Sequence, residues 1–164
     1  MAGQTADRPR SIVRIDLDER SFLRRRPEVE HEREIALFDL LEENTFVLKA
    51  EGRPPGPYHV RLALADDRLV FDVCGTDDVK LADIALAVKP FRMLVKDYFL
   101  VCESYFDAIK TASPSQIEAI DMGRRALHNE GALMLKERLG EYVELDHNTA
   151  RRLFTLLCVL HMRG

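Results

Sequence analysis

Three polar residues in one stretch of this chain have the types and the spacing to act together. Within Ser113 to Gly140, SPSQIEAIDMGRRALHNEGALMLKERLG, stand Asp121, Arg124 and His128. At about 100° per residue all three fall on one side of a helix, close to the line joining Ile117 and Leu135. An acid at i and an arginine at i+3 can pair along the helix. An arginine beside an imidazole disfavours the imidazolium, so His128 is expected to stay neutral. A neutral histidine next to a fixed guanidinium can take up a proton or donate a hydrogen bond to a ligand. Asn129 and Glu130 add polar capacity on adjoining faces and complete a candidate ligand-binding set. The plainer role for Asp121, Arg124 and His128 is a satisfied buried network that joins this helix to its neighbours. That is the expected one, because polar groups on an apolar face must find partners.

Two further clusters have a possible chemistry and a plainer role. Arg24, Arg25 and Arg26 form a candidate anion-binding run, since guanidinium groups grip oxyanions in pairs. No glycine-rich phosphate loop accompanies them: GRPPG at Gly52 to Gly56 lacks the lysine and the strand-to-helix setting. Pairing with nearby glutamates, or a solvated turn, is the expectation. Glu28, His31 and Glu34 have helical spacing that a metal could use, together with His128 and the neighbouring Glu30 and Glu32. An acidic first turn facing the helix dipole explains them without a metal, and no metal site or cofactor is expected. Cys74, Cys102 and Cys158 are far apart and set among apolar residues, which reads as buried reduced thiols. No GxSxG, HExxH, GxGxxG or paired CxxC occurs.

The elements that must position these groups are legible in part. Ser113 with Gln116 makes a capping box, and Pro114 suits the first helical position. Gly140 falls where a left-handed cap is expected. The helix would run roughly 39 Å if unbroken; the alternative is a break at Asn129-Glu130-Gly131. Gly123 and Gly131 within it imply close approach of a neighbouring backbone. Before it, Phe91 to Ile109 is amphipathic; after it, Glu141 to Glu144 is extended and Asp146 or Asn148 caps a last helix. Leu153 to Leu160 is apolar on nearly every side, which predicts burial. Earlier still, Val13 to Leu17 alternates as a strand, and an acidic-headed helix is expected to end near Asn44. Thr45 to Ala50, Tyr58 to Leu64, Leu69 to Val73 and Leu81 to Val88 follow as strands. The expected fold is α+β: a small antiparallel sheet of about four to five strands, with an N-terminal helix and three C-terminal helices packed on it. One domain, 11–164, follows a flexible segment, 1–10.

At 164 residues the chain is long enough for one core, and a net charge of −4 disfavours nucleic acid as a partner. No apolar run approaches the roughly 20 residues of a membrane span, and no signal core opens the chain, so no membrane partner and a cytoplasmic location are expected. The words IDLDER, EHER, FDLLEEN, VKDYFLVCESYFDAI, SPSQIEAIDMGRRALHNEG and RRLFTLLCVLHMRG carry a resemblance. From about Ile12 to Gly164 the chain resembles the uncharacterised protein family (UPF) number 0262 of alphaproteobacteria. The resemblance implies a bacterial cytoplasmic protein and brings no reaction with it. A non-enzymatic interaction or regulatory module with a protein partner is the first reading. The alternative is an enzyme or small-ligand binder built around Asp121, Arg124 and His128. If the arginine run only pairs locally, the purified protein should show no salt-dependent binding to DNA or RNA at physiological ionic strength. Micromolar binding that disappears when all three arginines become alanine would contradict this.

Overall fold

A computed structural model describes residues 8–19 and 26–161, so Arg24 and Arg25 lie outside the described residues. Strand β1 (Ile12–Leu17) leads to helix α1 (Pro27–Glu42) and a short strand β2 (Phe46–Leu48). Strands β3 (Tyr58–Ala65), β4 (Arg68–Cys74) and β5 (Lys80–Ala87) follow, then a 3₁₀ turn, Lys89–Phe91. Helices α2 (Arg92–Thr111) and α3 (Pro114–Leu139), strand β6 (Val143–Leu145) and helix α4 (His147–His161) complete the chain. The fold is α+β, with one N-terminal and three C-terminal helices.

The alternation in β3, β4 and β5 builds an antiparallel meander whose inner face is buried through Tyr58, Val60, Leu62, Phe71, Val73 and Ile84. Asp66 and Asp67 join the first two strands with φ of 52° and 60°, the paired left-handed conformation that matches the twist of a two-residue hairpin. The sheet is not wholly antiparallel. Strand β1 lies parallel to β3, giving the order β1-β3-β4-β5. The intervening α1 supplies the long crossover that parallel neighbours need. The extended segments 45–50 and 141–144 do not join this sheet; within them β2 and β6 form a separate antiparallel pair.

Side chains fasten the pieces where backbone pairing ends. Helix α1 stops at Glu42, two residues before the expected Asn44. Asn44 is buried, accepts from the Ile12 N–H at 2.7 Å and donates to the carbonyls of Ile12 and Leu40 at 2.9 and 2.7 Å. Arg8 donates to the carbonyls of Leu41 and Glu42 at 2.6 Å each, filling acceptors that a helix end leaves open. Arg8 and Arg10, expected in a loose segment, are both bonded to the fold, Arg10 through backbone bonds with Pro55 and Phe46.

Helix α4 is the centre. Thr149 N–H donates to Asp146 at 2.8 Å as its cap, and every residue from Leu153 to Leu160 is buried. Helix α3 carries the expected capping box, with Ser113 and Gln116 each bonded to the other's backbone N–H. It continues unbroken through Gly131. A Cβ there would lie 2.5 Å from the Phe154 ring of α4, so this glycine admits a buried aromatic ring instead of ending a helix. Gly140 does not adopt the expected left-handed cap: its φ is −61° and its N–H still reaches the Lys136 carbonyl at 2.9 Å. Among the described residues no helix is long and apolar enough to cross a membrane.

The two helix glycines should respond oppositely to alanine. Each change gains about 1 kcal/mol of helix propensity. Gly123 meets only Val101 at 3.8 Å, an ordinary contact, so Gly123→Ala should stabilise by up to about 1 kcal/mol. At Gly131 the overpacking cost of about 1–3 kcal/mol should win and leave a net loss. Urea unfolding of the two variants beside the parent checks both signs.

Candidate functional site

On α1 the buried positions are Val29, Glu32, Ala36 and Leu40, spaced at three and four residues, so Glu32 points into the seam against the C-terminal helices. Its Oε1 accepts from Arg124 Nη1 at 3.1 Å and from the Cys102 thiol at 3.4 Å. Arg124 also donates through Nε and Nη2 to Asp121 Oδ1 at 3.1 and 2.7 Å, and its guanidinium lies 4.9 Å from the centre of the Tyr105 ring. Asp121 Oδ2 is shared with Arg125 at 3.2 Å. The hydrogen bond from Arg124 holds the Asp121 carboxyl below the usual range, outweighing its desolvation. Burial works against the Arg124 charge, yet the bond to Asp121 and the charge of Glu32 raise its pKa above the usual value.

His128 sits one turn further along α3, 5% exposed. Arg151 Nη2 approaches its Nδ1 at 3.4 Å, and Tyr98 Oη lies 2.8 Å from Nε2. A guanidinium only donates, so Nδ1 is the accepting nitrogen and Nε2 carries the proton that goes to Tyr98. On the same helix as Tyr98, the Cys102 thiol donates to Glu32. Burial pushes the Tyr98 hydroxyl and the Cys102 thiol upward, with the Glu32 charge adding to it. His128 is driven down to about 3 by burial, then by the charges of Arg151 and Arg124. The expected neutral imidazole is therefore what the surroundings impose.

These groups open on a cleft of about 170 Å³ between α1, α3 and α4. Glu32, Asp39, Arg124, His128, Arg151 and Arg152 supply its polar lining, with Ile35, Ala36 and Thr155 beside them. A cavity of about 150 Å³ holds a benzene ring, so the space suits a small molecule. Of the sequence candidates, Asp121, Arg124 and His128 lie together, but only Arg124 and His128 line the cleft; Asp121 stands behind Arg124. Asn129 bonds His147 at 3.3 Å and Glu130 is exposed, and neither reaches the cleft. Arg26 pairs at 3.3 Å with Glu103, which is on α2 and not among the nearby glutamates, and approaches its neighbour Glu28 at 4.0 Å. No three potential metal-ligating side chains converge among the described residues, so Glu28, His31 and Glu34 do not meet His128. The three cysteines are free.

Sequence reasoning missed Glu32 as a partner of Arg124, and it missed Arg151 and Arg152 altogether. Glu32 could have been found from its place in the 29-32-36-40 stripe. The two arginines immediately precede the all-buried run Leu153 to Leu160 of α4, which is where charge must leave a core.

The chain matches the model of the Uncharacterised protein family (UPF0262) over residues 9–163. It is similar to a UPF0262 protein of Rhodospirillum rubrum, 59% identical over 153 residues covering 93% of each chain. Another, from Roseobacter denitrificans, is 57% identical over 156 residues, covering 93% of this chain and 98% of that one. A third, from Paramagnetospirillum magneticum, is 56% identical over 153 residues, covering 93% and 96%. No solved structure matches the chain.

The depressed His128 pKa makes stability depend on pH. In the unfolded chain a histidine titrates near pH 6.5, in the fold near 3. Below pH 6.5 the unfolded state therefore binds a proton that the folded state refuses. Its contribution is complete above pH 6.5 and is lost as pH falls towards 3, by at most about 1.4 kcal/mol per pH unit. Urea unfolding of His128→Gln should give a flatter curve across that window, and an equally steep curve would assign the acid sensitivity elsewhere.

Proposed function

We propose that this chain, which belongs to the uncharacterised protein family UPF0262, is a regulatory module that takes a small polar molecule into the α1–α3–α4 cleft. One observation carries the reading. Arg151 and Arg152 line the cleft without an ion pair among the described residues, while Arg124 beside them is saturated by two carboxylates. Half-buried guanidinium groups left open towards a cleft are suited to oxyanion capture.

Binding fits this lining better than turnover does. His128 has both ring nitrogens engaged and is held neutral, so it is poorly placed to shuttle protons. Cys102 is buried with its thiol held protonated, the reverse of an activated nucleophile. A protein partner belongs to the same reading. Ile35, at the cleft, is 42% exposed, and Phe38, three residues along α1, is 64% exposed, so a partner seated there would touch the wall that a ligand touches. Three free cysteines suit a reducing cytoplasm.

The test is native mass spectrometry and thermal unfolding after incubation with a polar bacterial extract. A retained small molecule is expected, and it should be lost on changing Arg151 and Arg152 together to alanine. At a hundred times its Kd such a ligand stabilises by about 2.7 kcal/mol, worth about 5–10 °C in a domain of this size. Release of the molecule unchanged supports a binding module, whereas its conversion would favour the enzyme alternative. No retained molecule would remove the reading.

A further inference from the structure

We infer that the cleft is built for a small carboxylic acid carrying an ammonium or hydroxyl group next to its carboxylate, an inference that rests on the cleft being a ligand site. The argument is one of charge left over. Arg124, Glu32, Asp121 and Arg125 are joined in one chain of ion pairs with two charges of each sign, so this group is neutral as a whole. What remains in the lining is Arg151, Arg152 and Asp39. Among the described residues none of these three forms an ion pair, and the one side-chain bond of Arg151, to His128, is long at 3.4 Å. Opposite charges thus face one cleft without meeting.

A ligand that completes this lining must present an anion to the arginines and a hydrogen-bond donor to Asp39. A carboxylate matches the planar fork of a guanidinium. A donor on the adjacent carbon brings the second polarity within a few ångströms of the first. A bare phosphate is the poorer match, because it places further negative charge near Asp39 and Glu32, and like charges brought together in a cleft repel. The volume of about 170 Å³ sets the scale: close to the benzene-sized cavity, it allows a skeleton of roughly three to five carbons, with Ile35 and Ala36 against the hydrocarbon part.

Isothermal titration with the twenty standard amino acids, lactate, glycerate and malate, and with propionate and inorganic phosphate as controls, tests this. Arg152 and Asp39 are both partly exposed, so Arg152→Ala and Asp39→Asn should keep the fold, which the melting temperature verifies. At least one amino or hydroxy acid is expected to bind. Arg152→Ala should weaken it tenfold or more. Asp39→Asn should also weaken it tenfold or more while strengthening propionate or phosphate, since the repelling carboxylate is gone. If phosphate or propionate binds the parent as tightly as any amino or hydroxy acid, or if Asp39→Asn leaves the best ligand unaffected, the ligand class is wrong and the cleft remains a binding site. The same holds if nothing in the panel binds but the extract yields a retained molecule. Failure of both experiments removes the site as well.

Discussion

Helix α4 has no solvent side from Leu153 to Leu160, and the other elements are arranged to satisfy that. A helix apolar all round must be covered from every direction. The inner face of the sheet, α1 and α3 do this together, and their side chains form one continuous core. Cover at close range needs special residues. Gly131 lets α3 approach the Phe154 ring, Tyr98 stands edge-on to the same ring at 5.9 Å, and Phe91 from the 3₁₀ turn lies 6.5 Å away. Charge on α4 is consequently confined to its first turns, and Arg151 and Arg152 emerge together at the seam between α1 and α3.

The same packing decides how polar groups survive inside. Tyr98 is fully buried yet bonded, its ring 4.8 Å from that of His128. Arg151 donates to His128 and His128 to Tyr98, the direction of both set by the guanidinium at the start, and the Cys102 thiol donates to Glu32. A network satisfied in this way can sit in a core, where a single missing partner would cost about 1–3 kcal/mol. The structural role expected for Asp121, Arg124 and His128 and the cleft beside them are therefore not rivals: the network holds the wall that the cleft uses.

What the sequence disclosed was local. The capping box at Ser113, the burial of Leu153 to Leu160, the meander and the clustering of Asp121, Arg124 and His128 all rest on spacing within one element. What it hid was assembly. The parallel pairing of β1 with β3 joins residues more than forty positions apart, and the two short strands pair across nearly a hundred. Glu32 meets Arg124 only because α1 and α3 flank the same helix. Gly131 carried two opposite meanings, a break or a close approach, and only the position of Phe154 decides between them. The turn at Gly140 misled because a right-handed end closed by the Tyr142 N–H to the Leu139 carbonyl, at 2.9 Å, leaves the same glycine in the sequence.

The Asn44 side chain has one more effect, on how molecules of this protein meet each other. Strand β1 forms one border of the main sheet, and a border with free N–H and C=O groups is a template onto which a second molecule can add a strand. By holding both the N–H and the carbonyl of Ile12, Asn44 mimics a neighbouring strand at the start of that border and leaves this residue nothing to offer. The opposite border, β5, is guarded by charge, with Lys80 and Asp83 exposed and paired at 3.0 Å. One rim is thus capped where it begins and the other carries charge, two devices that make addition of a further strand less favourable at those points.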